Sequence, residues 1–221
     1  MKKLLPVFFC LFLSSLFLTK VLGSDLAGVK PGRFRVVLDP GHGGRDSATK
    51  AEGFYEKDVV FNIALETKKQ LEAKGFEVIL TRTDDTFIPL TDRPKIKGDA
   101  FISLHANTVP ERIGPSVRSM IKGIEIFTES TMSDTKVLEE SKLLASHLWN
   151  SLNDVEGMNV RGNVKQKPLA VLRNNESPAV LIELGYLTNK EDLAFLTDRY
   201  CYQRIADALC SAIEEYRKDK R

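Results

Sequence analysis

The chain has 221 residues, of which 43% are hydrophobic and 28% are charged. This length suits one α/β domain with a sizeable core and is too short for two such domains once a leader is removed. The formal net charge is +2, and the Lys and Arg residues are interleaved with Asp and Glu rather than clustered in a basic stripe, so the composition gives no support to nucleic-acid binding.

The first 23 residues have the order of an export signal. Met1-Lys2-Lys3 forms a basic start, Leu4 to Leu18 is an apolar run, and Gly23 supplies a small residue before a cut. The run is short for a membrane span, and a retained anchor is the alternative to cleavage. Cys10 lies inside the run, too near the N-terminus for a lipid-attachment cysteine. We therefore expect an exported protein of the periplasm or cell envelope, with residues 24–32 as a lead-in.

Strands and helices alternate through the rest of the chain. After a first strand from Arg33 to Leu38 and a loop, apolar residues at helical spacing start at Val59 and end at the stop signal Lys74-Gly75. Periodicity predicts further elements, namely strands at 76–81, 100–104 and 123–128, short apolar runs at 169–173 and 179–184, and helices at 134–153 and 198–217.

This alternation predicts the fold class. Strands separated by helices, with no internal repeat, are typical of a three-layer α/β/α single domain with a largely parallel sheet. The predicted domain covers residues 33–217, and 218–221 form a solvated tail. Cys201 and Cys210 lie too far apart on the last helix to bridge each other and are expected to be buried apolar side chains. His147, off the apolar stripe of its helix, is expected to be an ordinary surface histidine.

Two of the three histidines, His42 and His105, directly follow apolar strands. Because ligands bind beyond the carboxyl ends of parallel strands, both imidazoles are expected in one crevice. Glu56 stands in the first turn of the helix after the His42 loop, at the same edge of the sheet. Two histidines and a glutamate make an established catalytic zinc set with one open position, so one Zn²⁺ per chain is predicted. The glycines that flank His42 are expected to leave space for a ligand.

Each of these residues also has a simpler explanation. Glu56 could complement the positive end of its helix, and His105 could be a turn residue at a strand end. Glu183 interrupts an apolar run, where an ionised carboxylate needs a cation, a hydrogen-bond network or a metal-bound water nearby. We therefore predict that Glu183 is a general base beside a zinc-bound water. A salt bridge to Arg93 or Arg173 is the alternative.

A different chemistry is suggested by the pattern S-x-x-K, the nucleophile motif of penicillin-binding proteins. Ser47 and Lys50 match it and border the His42 loop, so they are a candidate second nucleophile. The pattern fixes only two positions, two further matches occur in the chain, and no K-T-G follows. Chance therefore explains most of these matches.

Four motifs, in chain order, resemble those of the zinc-dependent type 3 family of N-acetylmuramoyl-L-alanine amidases. They are Leu38-Asp39-Pro40-Gly41-His42-Gly43-Gly44, Tyr55-Glu56-Lys57-Asp58, Ser103-Leu104-His105-Ala106-Asn107, and Leu181-Ile182-Glu183-Leu184-Gly185-Tyr186-Leu187-Thr188-Asn189. The resemblance extends from about Arg33 to Arg217.

The resemblance implies a fold, a reaction and a set of roles. The fold is a twisted, mainly parallel six-stranded sheet flanked by helices. The reaction is hydrolysis of the amide between N-acetylmuramic acid and L-alanine in peptidoglycan, as in wall remodelling and daughter-cell separation. His42, Glu56 and His105 match the zinc ligands, and Glu183 matches the catalytic glutamate. Candidate substrate contacts are Arg45, Asn107 and Lys165.

The chain also departs from many relatives of that family. The mature chain has no room for a targeting domain or wall-binding repeats, and the loop between His105 and Gly123 is too short for the long helix that plugs some division amidases. We expect a monomer whose partners are peptidoglycan or muropeptides, with a protein activator or division partner left open. The alternatives are an added serine carboxypeptidase activity and a non-catalytic wall-binding or activator module.

Overall fold

A computed structural model describes residues 32–131 and 134–220 of the chain. Its strands are β1 (Arg35–Pro40), β2 (Lys50–Ala51), β3 (Phe54–Tyr55), β4 (Glu77–Leu80), β5 (Ala100–Asn107), β6 (Glu125–Thr128), β7 (Lys165–Gln166) and β8 (Ala179–Tyr186). Its helices are α1 (Glu56–Ala73), α2 (Pro115–Arg118), α3 (Thr135–Asn153), α4 (Ala170–Arg173), α5 (Lys190–Thr197) and α6 (Arg199–Asp219), with a 3₁₀ turn at Arg93–Lys95. The predicted export signal, the lead-in up to residue 31, and Arg221 in the predicted tail lie outside the described residues.

Six strands form one sheet in the order β4-β1-β5-β8-β6-β7, and β2 pairs with β3 in a separate hairpin. Neighbouring strands in the large sheet are parallel except for β6, which runs antiparallel to β8. The sheet is therefore mainly parallel and six-stranded, which confirms the predicted fold class. Among the described helices, none has the length and apolar content that a bilayer crossing requires.

Both faces of the sheet are buried, as expected for strands that read as near-continuous apolar runs. Alternate side chains of β1 point to opposite faces: Val36 and Leu38 join the larger core with α1, α3 and α6, whereas Val37 joins a smaller core with α4. One face is thus covered by three long helices. The other face is covered by short elements. Helix α4 contributes to the smaller core, and Ile96, after the 3₁₀ turn, and Leu169, before α4, pack against it.

The predicted helix boundaries agree with the structure to within a few residues. α1 ends just before Lys74-Gly75, and Asp134 caps α3 by accepting hydrogen bonds from the backbone nitrogens of Lys136 and Val137, at 2.9 and 3.1 Å. The first short apolar run becomes helix α4 and the second becomes strand β8. Four features were not predicted from the sequence: the β2–β3 hairpin, helix α2, strand β7 and helix α5.

The expectations for the two cysteines and for His147 are only partly correct. Cys210 is buried, while Cys201 is only partly covered. The imidazole of His147 is mostly buried and lies 2.9 Å from a carboxylate oxygen of Asp219. It therefore connects α3 to α6 through this contact and is not part of the candidate metal centre described below.

Candidate metal centre

The His42 loop begins where β1 ends, at the carboxyl edge of the sheet. His42 has a φ of 61°, in the left-handed region that is uncommon for residues other than glycine, and Gly43 and Gly44 follow with φ of 119° and 56°. From the sequence, we expected the flanking glycines to leave space for a ligand. In the structure, protein atoms fill that space. A methyl group on Gly41 would lie 2.4 Å from Cε1 of His105, and one on Gly43 would lie 2.3 Å from the carbonyl oxygen of Thr86. Gly41 instead makes room for the second imidazole.

Three side-chain atoms from separate elements meet at this edge. His42 Nε2 lies 3.0 Å from Glu56 Oε1 and 3.1 Å from His105 Nδ1, and His105 Nδ1 lies 3.1 Å from the same Glu56 oxygen. His42 follows β1, Glu56 is the first residue of α1, and His105 lies near the end of β5. In the described part of the chain, these residues form the one group whose ligand atoms could hold a metal ion together.

The geometry of this group fits a tetrahedral cation. Zinc bound to nitrogen and oxygen at about 2.0–2.1 Å holds neighbouring ligand atoms about 3.3 Å apart, close to the separations observed here. The other ring nitrogen of His42, Nδ1, lies 2.9 Å from Asp46 Oδ2. A carboxylate behind a ligating histidine orients the ring and is a common feature of metal sites. The donor set, its spacing and its support therefore all suit a metal ion.

Glu56 is held in the ionised form that a ligand needs. The side chain is buried, and its Oε1 accepts a hydrogen bond from the backbone nitrogen of Ala106 at 3.1 Å. Burial alone raises the pKa of Glu56, but contacts with His105 and His42 outweigh it and bring the pKa down to about 2. Its role at the helix start is thus more than complementing the helix dipole.

Glu183 lies beside this group, and within the described segments no lysine or arginine forms an ion pair with it. It is directly opposite His105 in the pairing of β5 with β8. Its Oε2 is buried without a hydrogen-bond partner among the described residues. Burial raises the pKa of Glu183 to about 7, with His105 opposing the shift and Glu56 adding to it. The alternative salt bridges are not formed: Arg93 pairs with Asp39 at 2.8 Å, and Arg173 donates to the carbonyl oxygen of Pro168.

A further glutamate beside this group, Glu125 on β6, is buried and was not singled out in the sequence analysis. Its carboxylate pairs with the ammonium of Lys165 and accepts hydrogen bonds from Tyr186 Oη at 3.0 Å and Asn107 Nδ2 at 3.2 Å. Glu125 is also opposite Glu183, on the other side of β8 from His105. Like Glu183, Glu125 is an acidic residue within an apolar run, and that pattern is the sequence signal for it. Two predicted substrate contacts, Asn107 and Lys165, are thus partners of this carboxylate.

The other predicted site residues lie in the segment after His42. Arg45 is exposed, with its guanidinium carbon 4.4 Å from the centre of the Phe87 ring. Lys50 is exposed, and its ammonium lies 4.8 Å from the centre of the Tyr55 ring. Ser47 is partly buried, and within the described segments no hydrogen bond joins it to Lys50. Among the described residues, Lys50 therefore packs on Tyr55 and is not hydrogen-bonded to Ser47.

Comparison with known sequences gives a family match. The family model described as N-acetylmuramoyl-L-alanine amidase matches residues 36–215. The chain is 31% identical over 229 residues to N-acetylmuramoyl-L-alanine amidase AmiC of Neisseria meningitidis serogroup B, a match that covers 85% of this chain and 55% of that protein. The chain thus spans about half the length of the curated relatives it matches.

Solved structures of similar fold cover nearly the same region. An N-acetylmuramoyl-L-alanine amidase from Clostridium difficile 630 superposes with a TM-score of 0.76 at 28% identity, covering 86% of this chain and 99% of the other. The CwlD amidase of Clostridioides difficile, solved in complex with the GerS lipoprotein, superposes with a TM-score of 0.73 at 28% identity, covering 85% of this chain and all of that one (100%).

Proposed function

Because the chain belongs to the N-acetylmuramoyl-L-alanine amidase family, we propose that it hydrolyses the amide between N-acetylmuramic acid and the first L-alanine of the peptidoglycan stem. One observation carries this proposal. Three side-chain atoms suited to a metal, from His42, Glu56 and His105, converge within 3.1 Å of one another beside Glu183, whose Oε2 is buried without a hydrogen-bond partner among the described residues. That combination is what metal-assisted amide hydrolysis requires.

The proposed metal is a single Zn²⁺ held by His42, Glu56 and His105. When bound, zinc lowers the pKa of a water molecule and polarises the substrate carbonyl. Asp46 fixes the orientation of the His42 ring through Nδ1, so that Nε2 faces Glu56 and His105. Gly41 allows the His105 ring to pack against the end of β1.

Glu183 is the proposed general base. Burial raises the pKa of this carboxylate to about 7 in the metal-free protein, and a raised pKa suits a group that accepts a proton and releases it again. It takes a proton from the attacking water as the carbonyl carbon is attacked. It then delivers this proton to the L-alanine nitrogen as the carbon–nitrogen bond breaks. Among the described residues, no hydrogen bond competes for Oε2 in these transfers.

Asn107, Lys165 and Arg45 are proposed as substrate contacts on the rim of the site. Lys165 is partly exposed while its ammonium remains tied to the buried Glu125, so it offers a positioned donor rather than a free charge. Asn107 donates a hydrogen bond from its amide nitrogen to the carboxylate of Glu125. Arg45 is exposed next to the His42 loop and suits an anionic group of the peptide.

The location and the partners of the protein are further proposals. We propose that residues 1–23 are an export signal and 24–32 a lead-in, that 33–217 form the catalytic domain, and that the protein acts as a monomer in the periplasm or cell envelope. A protein activator is part of the proposal, since the similar CwlD amidase was solved with a lipoprotein bound.

Digestion of purified peptidoglycan tests the proposed function. The wild type is expected to release free L-alanine amino termini, and mass spectrometry of the products identifies the cleaved bond. His105→Ala is expected to lose both zinc and activity, whereas Glu183→Gln is expected to keep zinc and lose turnover by about 10²–10⁴-fold. His147→Ala, which alters a histidine paired with Asp219, is the matched control and is expected to behave as wild type.

Two outcomes would contradict this assignment. Full activity in Glu183→Gln would remove the general base. Binding of peptidoglycan by the zinc-loaded wild type without release of amino termini would favour a non-catalytic wall-binding module.

A further inference from the structure

Two buried arginines, Arg82 and Arg93, hold the backbone that carries the first metal ligand. They are 4% and 2% exposed. Their guanidinium groups donate to the carbonyl oxygens of three consecutive residues, Pro40, Gly41 and His42. Long cationic side chains are rarely buried so completely without a specific task.

The contacts cover the turn from β1 into the ligand loop. Arg82 donates through Nε to Pro40 O at 3.0 Å and through Nη2 to Gly41 O at 3.1 Å. Arg93 donates through Nη1 to Pro40 O at 3.1 Å and through Nη2 to His42 O at 2.6 Å. These bonds are made where His42 adopts its left-handed conformation, which the local sequence does not favour. The two arginines therefore hold an otherwise unfavourable turn.

Arg82 also reaches the second ligand. Its Nη2 donates to the carbonyl oxygen of Lys57 at 2.7 Å, and Lys57 directly follows Glu56. Arg82 Nη2 thus contacts both Gly41, which precedes His42, and Lys57, which follows Glu56. The guanidinium is kept in place by the ring of Phe61, whose centre lies 4.6 Å away.

Arg93 is connected to the strand of the third ligand. Its Nη1 pairs with Asp39 Oδ1 at 2.8 Å, and Asp39 Oδ2 accepts a hydrogen bond from Ser103 Oγ at 2.6 Å. Ser103 lies on β5, two residues before His105. The network therefore contacts the chain next to all three candidate ligands.

We propose that Arg82 and Arg93 are positioning residues that set the spacing of His42, Glu56 and His105 for the metal ion. The inference rests on the proposed metal site but not on the reaction. Arginine suits this task because its planar fork carries five donors at fixed angles. Lysine keeps the charge but offers one flexible nitrogen, which cannot hold Pro40, Gly41 and Lys57 at once.

Zinc affinity of the purified full chain tests the proposal with Arg82→Lys. The control is Arg35→Lys, which alters an exposed arginine at the opposite end of β1. Competition with a chromophoric chelator gives the zinc dissociation constant, and the visible absorption of the Co²⁺ form reports ligand geometry. Arg82→Lys is expected to weaken zinc binding by about 10–100-fold and to change the Co²⁺ spectrum, while Arg35→Lys leaves both as in wild type.

Melting of the metal-free protein separates positioning from folding. If Arg82→Lys melts as wild type does but binds zinc more weakly, the positioning role is supported. If its zinc affinity and Co²⁺ spectrum equal those of wild type, the proposal is wrong. Should Arg82→Lys not fold, Phe61→Leu removes only the ring beneath the guanidinium, and unchanged zinc affinity in that folded variant overturns the proposal.

The role of Arg82 in zinc binding can be tested separately from the cleavage of peptidoglycan. A wild type that binds zinc but leaves the muramoyl amide intact would contradict the proposed function and leave this inference standing. An Arg82→Lys variant with wild-type zinc affinity would contradict the inference even if the wild type cleaves peptidoglycan.

Discussion

His105 and Glu183 lie directly opposite each other on the neighbouring parallel strands β5 and β8. Paired residues of adjacent strands project from the same face, so a candidate metal ligand and the proposed base emerge side by side. Glu125 occupies the next position across β8. Lys165 pairs with Glu125, whereas Glu183 has no lysine or arginine partner in the part of the chain that the structure describes.

The first prediction concerns the pH dependence of hydrolysis. Glu183 must be ionised to accept a proton, and burial raises its pKa to about 7 in the metal-free protein. A bound dication nearby lowers that pKa, so kcat/KM is expected to rise with pH along an acid limb centred below about pH 7. Rates measured at constant zinc occupancy check this, and an acid limb centred well above neutrality would contradict it.

The second prediction concerns stability without metal. The pKa of Glu183 is raised in the folded protein from an ordinary 4.5 to about 7, so stability is lost as pH rises between these values. At about pH 8, Glu183→Gln is expected to raise the free energy of unfolding by up to about 3 kcal/mol, and the gain should vanish near pH 4. Urea unfolding of metal-free protein at the two pH values measures it.

Glu125→Gln is the matched control, and it is expected to change the free energy of unfolding in the opposite direction. Burial by itself raises the pKa of Glu125, but Lys165 and Tyr186 outweigh this and lower it. Removing its charge takes the counter-ion from Lys165 and weakens the acceptor of the Tyr186 hydroxyl, so Glu125→Gln is expected to lower stability at about pH 8. Stabilisation by both substitutions would mean that the two carboxylates are not in different electrostatic environments.

The third prediction is that Gly41→Ala weakens metal binding. Its added methyl group would lie 2.4 Å from His105 Cε1, so the imidazole must move. That movement increases the distance from His105 Nδ1 to the ligand atoms of His42 and Glu56. We expect zinc affinity to fall by about 10-fold or more, as for loss of a supporting contact. Gly114→Ala is the control, because a methyl group there meets no atom within 4 Å. Equal affinity in both variants would show that the packing of Gly41 on His105 does not matter.

The fourth prediction concerns the carboxylate behind His42. Asp46 Oδ2 lies 2.9 Å from His42 Nδ1, and Asp46→Asn removes the charge while keeping the shape. Zinc affinity is expected to fall by about 10–100-fold. Asp207→Asn, an exposed position on α6, serves as control in the same chelator competition. An unchanged dissociation constant in Asp46→Asn would exclude this orienting role.

The fifth prediction concerns Ser47. A serine nucleophile is activated by an adjacent base, whereas the Lys50 ammonium lies 4.8 Å from the centre of the Tyr55 ring and has no hydrogen bond to Ser47 in the described segments. A labelled β-lactam is expected to leave the wild type unmodified, and Ser47→Ala is expected to retain amidase activity. Labelling that disappears in Ser47→Ala would instead establish the penicillin-binding alternative.

Much of the fold and the candidate site could be predicted because the signals are local. Apolar runs and glycine stop signals located β1, α1 and the last helix, since each pattern arises from neighbours along the chain. The short strand β7 and the β2–β3 hairpin carry two residues per strand, too few to show any period. Helix α5 was missed because it directly precedes the longer α6, with only Asp198 between them.

The sequence by itself determined the residue types of the site, the ends of the strands that carry them and the family to which they point. Tertiary structure alone decided which side chains meet. Arg93 was a candidate partner for Glu183, yet it pairs with Asp39 and holds the carbonyl of His42, 51 positions away in the chain. Such contacts depend on strand order and register, which arise from packing of the whole sheet and leave no periodic signal near either residue.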